Sequence, residues 1–257
     1  MKHLVIAVSP DSSLGLLGSY ADVIVLDKKP QTSSTVQYDT IYIRSHFSQP
    51  STLPQVFRSE IDSIVQNAKQ LNPNVKFIDG MDNVDGIVAF EDKWNQHTLF
   101  AKFQPRTEIY DDSANISSFV RPIFKNRLSS RGSGLTWDVT RTNRSTGEWI
   151  IQESLNIEEE LRVYVIRGEV YPVGAVRQNM TEGQKAQAVG QRKLTQDEID
   201  FSSSVMKQAP GIDIAGIDIA RTVEGNLSLM EVNRSPGFAK FMELTGVNLA
   251  DVLYKKL

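Results

Sequence analysis

Apolar residues in the first third of the chain come in short runs, at 4–8, 23–26, 40–43 and 75–78, separated by polar, Pro or Gly breaks, and the pattern predicts buried strands. Between the last two runs Leu53, Phe57, Ile61, Ile64, Val65 and Ala68 recur at helical spacing. The predicted unit is a strand-helix-strand crossover within a small α/β domain. Beyond about residue 91 the pattern changes to a helix over 93–103, a Pro105-Arg106-Thr107 break, then mostly strands and turns, and a last helix over 247–256. The polar stretch 179–200 reads as a surface excursion holding a weak helix. The expected fold class is α/β, with α+β character in the C-terminal part.

Composition acts on this picture by exclusion. Against 31 acidic residues stand 28 basic ones, a formal charge of -3 spread along the chain, so no basic field is offered to nucleic acid or to an anionic membrane. With no cysteine there is no disulfide, thiolate metal site or cysteine nucleophile, which suits a reducing, cytoplasmic setting. The opening apolar run breaks at Ser9-Pro10, too short for a signal sequence or a membrane span. The segment 9–15 behind it has a single glycine, too few for a dinucleotide to approach the backbone. His3, His46 and His97 show no ligand spacing. Oligomeric state is not legible.

The informative chemistry lies in an apolar hairpin that carries acids. One strand runs through Asp218 and the other through Glu231 and Asn233, with a turn near Glu224-Gly225-Asn226. A two-residue loop at Glu224-Gly225 sets Asp218 opposite Glu231; one at Gly225-Asn226 sets it opposite Asn233 with Glu231 diagonal. A three-residue loop over 224–226 sends Glu231 and Asn233 to the other face. In the first two registers three oxygen-bearing side chains converge, and hard oxygen donors without His or Cys favour magnesium or manganese. From spacing alone, ordinary strand acids reaching solvent fit equally well.

Ala215-Gly216-Ile217-Asp218-Ile219, Met230-Glu231-Val232-Asn233-Arg234-Ser235-Pro236-Gly237-Phe238 and Leu244-Thr245-Gly246-Val247-Asn248-Leu249-Ala250 resemble the ATP-grasp superfamily, in particular the branch of the ribosomal S6 glutamate ligase and glutathione synthetase-like ligases. Weaker matches extend the resemblance back to Asp92. It implies an N-terminal pre-ATP-grasp α/β domain (1–90), a nucleotide-covering subdomain (91–148) and a C-terminal metal-binding subdomain (149–257). It also implies that Asp218, Glu231 and Asn233 hold magnesium (or manganese) on ATP, with the loop from Arg234 beside the phosphates and acceptor.

Other positions follow by the same resemblance. Lys93 is a phosphate-binding cation at a helix start. Arg121, where the family ordinarily has lysine, and Lys125 two positions further along one strand face, lie on the nucleotide. Ser130, Arg131, Gly132 and Ser133 belong to a glycine-containing loop over the phosphates, and Gln152 and Glu153 to the adenine hinge. Alternation over 160–166 puts Glu160, Arg162 and Tyr164 on one face. With Gly168-Glu169 as the turn, Arg177 falls opposite Glu160 and diagonal to Arg162. The bland reading is a strand-pair salt bridge; the resemblance has both arginines facing the transferred phosphate with Asn179 nearby. The implied reaction is ADP-forming ligation of a carboxylate to an amine through an acylphosphate, on small-molecule or peptide substrates. The alternatives are an ATP-grasp phosphotransferase and a nucleotide-binding module without turnover, the latter suggested by Arg121.

Overall fold

The computed structural model describes residues 1–28, 35–44, 56–129, 134–142, 147–178 and 187–255. Three sheets organise them. The first is parallel, ordered β2-β1-β3-β4, from β1 (His3–Ala7), β2 (Asp22–Val25), β3 (Thr40–Arg44) and β4 (Lys76–Phe77). The helix Arg58–Leu71 joins β3 to β4 and buries Ile61, Val65 and Ala68, so the expected crossover forms. The second sheet is ordered β5-β8-β6-β7, from β5 (Thr107–Ile109), β6 (Pro122–Asn126), β7 (Leu135–Thr136) and β8 (Trp149–Glu153). The third is antiparallel, ordered β12-β11-β9-β13-β14 with β10 on β9. It comprises β9 (Ile157–Ile166), β10 (Glu169–Val170), β11 (Val173–Arg177), β12 (Ala188–Lys193), β13 (Ile214–Thr222) and β14 (Leu227–Asn233).

The core crosses the expected limit at residue 90. Val5, Ala7 and Tyr42 of the first sheet pack in one cluster with Tyr164, Ile166 and Ile214 of the third and with Phe241, Leu249 and Leu253 of the C-terminal helices. The second sheet has its own small core of Tyr110, Phe119, Phe124 and Ile151. Strand Trp149–Glu153, which the sequence reading places with the C-terminal subdomain, is bonded to β5 and β6. The third sheet therefore starts only at Ile157.

Two further expectations change. The described part of 179–200 is not an excursion: Ala188–Lys193 pairs along β11, and Gln196–Met206 is a helix with a capping box between Thr195 and Glu198. The strand was hidden because it is an edge whose exposed positions alternate with half-buried Gly190 and Arg192. The expected turn at Gly168-Glu169 lies one residue earlier, at Arg167-Gly168, both with positive φ. Arg177 still meets Glu160, because the path through Tyr171 and Pro172 absorbs the offset before Ala175 pairs with Arg162. Among the described residues no helix is long and apolar enough to cross a membrane.

Candidate active site

A cavity of about 880 Å³ lies between the second and third sheets, and Asp11, Ser12 and Arg44 of the first-sheet region also line it. Lys93 enters through a chain of local constraints. Asp92 caps the helix Lys93–Phe100, its Oδ1 accepting from the Trp94 N–H at 2.8 Å. Arg127 grips the same carboxylate at 2.7 and 3.1 Å. The buried Gln96 amide then docks this helix on the open edge of β14, donating to the Val232 carbonyl at 2.8 Å and accepting from its N–H at 3.1 Å. Lys93 Nζ donates to the Ser129 carbonyl.

Strand alternation supplies the second lysine. Ile123 and Lys125 of β6 and Ile150 and Gln152 of β8 line the cavity, while Phe124 and Ile151 fill the core behind. Lys125 Nζ donates to Gln152 Oε1 at 2.6 Å, and Gln152 Nε2 donates to Thr107 Oγ1 at 2.7 Å. Burial pulls both lysines below the usual range, Lys125 to about 8, with the neighbouring Lys93 charge as its second cause. Among the described residues neither lysine has a carboxylate within ion-pair distance.

The opposite wall is built by the acid hairpin. Asp218 faces Glu231 and Gly216 faces Asn233. This is the register expected from a two-residue loop at Glu224-Gly225, but the chain reaches it by another route. Thr222 bonds across to Asn226, so the loop is 223–225, and a bulge between Asp218 and Ile219 leaves Met230 unpaired on β14. Without that extra residue Asp218 would oppose Met230, and Glu231 would point to the other face. Met230 and Glu231 both line the cavity.

Asp218 is almost fully enclosed and accepts from Arg162 Nε and Nη2 at 2.7 Å each, from Arg177 Nη1, and from Asn233 Nδ2 at 3.3 Å. Burial alone would raise this carboxyl; the two guanidinium charges outweigh it and hold the pKa below the usual range. Arg177 also reaches Glu160 at 2.8 Å, whose carboxyl burial pushes up to about 7 against the pull of Arg177. Gly216 makes room here: a Cβ on it would stand 2.7 Å from Pro236 Cβ and 3.3 Å from Arg162 Cδ.

The structure thus brings Lys93, Lys125, Gln152, Arg162, Arg177, Asp218, Glu231 and Asn233 to one cavity. Arg121 lines it too, but lies just before β6 and is exposed, so Lys125 is the inward cation of that strand. Glu153 turns its carboxylate onto the backbone N–H groups of Val120 and Arg121, at 3.0 and 2.7 Å. The hinge N–H groups of Glu153 and Ser154 donate within the protein, and Leu155 and Asn156 line the cavity beyond them. Ser130, Arg131, Gly132, Ser133 and Asn179 lie outside the described residues.

Arg234 points away from the cavity into the core: it is fully buried, donates to the Ile43 carbonyl at 2.5 Å and lies 3.4 and 3.6 Å from Asp79 and Glu91. Sequence reasoning missed Asp11, Arg44, Gln96 and Arg127. Arg44 bonds Asp11 33 residues away, Gln96 bonds Val232 136 away and Arg127 bonds Asp92 35 away, and only the Asp92 cap beside Lys93 was a local signal.

Among the described residues no group of three or more His, Asp or Glu side chains gathers as a metal site. The oxygen donors on hand are the Glu231 carboxylate, which no described cation pairs, the Asn233 amide oxygen, and Asp218, whose oxygens are shared with arginines. Such all-oxygen donors fit a hard divalent cation.

Residues 137–257 match the family described as the RimK-like ATP-grasp domain. A probable alpha-L-glutamate ligase of Parasynechococcus marenigrum (strain WH8102) is 36% identical over 106 residues, 38% of this chain and 22% of the relative. A probable alpha-L-glutamate ligase 2 of Shewanella denitrificans is 34% identical over 99 residues, 36% of this chain and 31% of the relative. The match thus spans less than a third of the length of these curated relatives. Among solved structures, the ATP-grasp ligase PsnB complexed with a minimal precursor superposes with a TM-score of 0.69 at 18% identity, covering 100% of both chains. The macrocyclase MdnC bound with precursor peptide MdnA, from Microcystis aeruginosa MRC, gives 0.67 at 15%, again over 100% of both. The chain has the fold of the ATP-grasp ligases, and its residues 137–257 are similar to the RimK-like ATP-grasp domain.

Proposed function

We propose that the protein is an ATP- and magnesium-dependent ligase that joins a carboxylate to an amine through an acylphosphate, releasing ADP and phosphate. The observation that carries this reading is the meeting, in one cavity, of the buried Lys125 of the second sheet and the half-buried Lys93 at a helix start with the Asp218-Glu231-Asn233 set and two arginines from the third sheet. Family relatives named as glutamate ligases, and a neighbour complexed with Mg and ADP, support it. The proposal keeps a nucleotide-covering unit (91–148) and a metal-binding unit (149–257), a division supported by β5, β6 and β7 falling in the first and the third sheet in the second.

In this reading Lys93 and Lys125 hold the phosphates, and the apolar side chains Ile123, Ile150, Leu155 and Met230 enclose the base. Glu231 and Asn233, with Asp218 shared, would hold magnesium, which neutralises charge on the transferring phosphoryl group. Arg162 and Arg177, fixed in orientation by Asp218, face the developing negative charge. Rigid donors held ready for that charge need no reorganisation during the reaction. No protein nucleophile is required, because the substrate carboxylate attacks the γ-phosphate and the amine then displaces phosphate.

A hydroxylamine trap tests this. With Mg-ATP and a panel of amino acids and short acidic peptides, the expected products are a hydroxamate, ADP and phosphate. AMP with pyrophosphate, or a stable phosphorylated product formed without amine, refutes ligation by this route. Glu231→Gln should remove the magnesium dependence of nucleotide binding while the fold persists.

A further inference from the structure

Residues 232–234 carry two clamps, and Asn233 of the oxygen-donor set lies between them. On one side the Val232 backbone is held by the Gln96 amide, which donates to its carbonyl at 2.8 Å and accepts from its N–H at 3.1 Å. On the other the Arg234 guanidinium, 0% exposed, lies 3.6 Å from the Glu91 carboxylate. Glu91 is the last residue of the helix Val84–Glu91 and Lys93 the first of the helix Lys93–Phe100, with Asp92 alone between them. Glu91 and Gln96 therefore bracket Lys93 in the same way that Val232 and Arg234 bracket Asn233. Glu231, next along the same strand, acts electrostatically on both Glu91 and Lys93.

Arg234 is itself fixed from behind by the first-sheet region. Its Nη2 donates to the Ile43 carbonyl at 2.5 Å, its Nε lies 3.4 Å from Asp79, and its own carbonyl accepts from the Tyr42 hydroxyl at 2.7 Å. Asp79 is held in turn: its φ is 64°, its carboxylate accepts from the N–H groups of Asp213 and Ile214 at 2.9 and 3.1 Å, and its own N–H donates to Asp213 Oδ2 at 2.9 Å. A non-glycine residue in that conformation persists only where its surroundings over-determine it. Desolvation offsets most of the stability that a buried ion pair contributes, so packed apolar side chains would hold this junction as firmly. What the guanidinium adds is direction, because its planar fork fixes partners on several sides at once.

We infer that Arg234 is a positioning residue of the nucleotide site. Without touching the ligand, it sets the spacing between Lys93 and Asn233, and so between the cation that takes the phosphates and the oxygen donors that take their metal. The inference rests on the ligase reading and goes beyond it, giving a role to an arginine whose side chain turns away from the cavity.

A double-mutant cycle read by equilibrium binding of ADP decides it, because residues that act through one another give effects that do not add. ADP is titrated, with and without magnesium, into wild type, Lys93→Met, Arg234→Met and the double variant, with thermal unfolding measured on each. Arg234→Met should weaken magnesium-free ADP binding at least about tenfold in the wild-type background and less than about twofold in the Lys93→Met background. It should also reduce the enhancement of ADP affinity by magnesium. Arg234→Lys, which keeps the charge but not the fork, should recover part of the affinity. An arginine with a merely structural role would lower Tm and show no coupling to Lys93. Equal losses in the two backgrounds, or no loss in either, overturn the inference. Should Arg234→Met fail to fold, Glu91→Gln carries the same cycle, since it leaves Arg234 its contacts with Ile43 and Asp79. ADP affinity indifferent to Glu91→Gln, or a loss additive with that of Lys93→Met, then overturns the inference. Wild type that binds no ADP removes the ligase reading itself, whereas additive losses in a protein that binds ADP remove only the role of Arg234.

Discussion

The two walls of the cavity handle charge in opposite ways. On the third sheet two of the acids are matched, Asp218 being shared between Arg162 and Arg177 while Arg177 also reaches Glu160, and among the described residues only Glu231 on that wall lacks a cation. On the other side Lys93, at the start of the helix Lys93–Phe100, and Lys125 of the second sheet are bonded to a carbonyl and an amide oxygen, neutral acceptors both. The matched wall keeps Asp218 ionised and its two arginines fixed without a ligand. The unmatched wall keeps two cations at a desolvation cost that an incoming polyanion removes, so it is the wall that discriminates bound from free.

If that contrast is right, breaking the matched wall should cost mainly stability. Asp218→Asn removes the shared partner of two enclosed arginines, and breaking a buried pair in this way costs about 3–5 kcal/mol. A large fall in Tm and denaturant midpoint is expected even with no nucleotide present. Wild-type stability in this variant would show that solvent, not Asp218, balances Arg162 and Arg177.

On the unmatched wall the balance reverses. Lys125→Met relieves a buried ammonium, so the apo protein should be no less stable, whereas nucleotide binding loses a charge-assisted bond worth about 1.5–3 kcal/mol, roughly 10- to 100-fold in Kd. Calorimetric titration with ADP alongside thermal unfolding separates the two effects. A variant that loses stability but binds normally would give Lys125 a packing role.

Which parts of this were legible in the sequence follows from where the information lies. Runs such as Leu4 to Val8 announced the first sheet because both of its faces are buried and apolar, and alternation announced Arg162 and Glu160 because β9 has one apolar face. The Asp218 register was legible only as a choice among loops. The outcome depends on a bulge at Met230 that no local rule places, because a bulge adds a residue without changing the residue types that form a strand. Arg44, Gln96 and Arg127 were illegible for another reason: each acts through a contact between distant segments, and a lone polar residue carries no mark of its partner.

Within the third-sheet wall itself sits Gly216, two residues before Asp218, where close packing rather than charge sets the geometry. Gly216→Ala would place a methyl 2.7 Å from Pro236 Cβ and against Arg162. An overpacked site of this kind typically costs about 1–3 kcal/mol. Pro236 accepts from Arg44 and Arg162 touches Asp218, so the substitution should weaken the matched wall and its contact with the first-sheet region, leaving ADP affinity near wild type. A Tm shift with unchanged ADP titration is the expected pair of results. A loss of ADP affinity of the size seen for Lys125→Met would erase the distinction between the walls.

The finest test of the comparison is pH. Lys125 sits at about 8, below its ordinary 10.5, because burial and the Lys93 charge disfavour its ionised form while Glu231 and Glu160 pull the other way. Between these two values the unfolded chain binds more protons than the folded one, so the contribution of Lys125 makes the apo protein more stable as pH rises through that window. Nucleotide binding has the opposite sign: it needs the charged amine, so affinity should fall as pH passes about 8, by up to about tenfold per pH unit. Lys93, also depressed by burial, steepens the fall in the same direction. Lys125→Met should flatten both slopes together, measured by ADP titration and thermal unfolding from pH 7 to 10. Slopes of equal sign, or slopes indifferent to the substitution, would mean that the two lysines are balanced in the free protein after all, and that the two walls do not differ in the way their partners suggest.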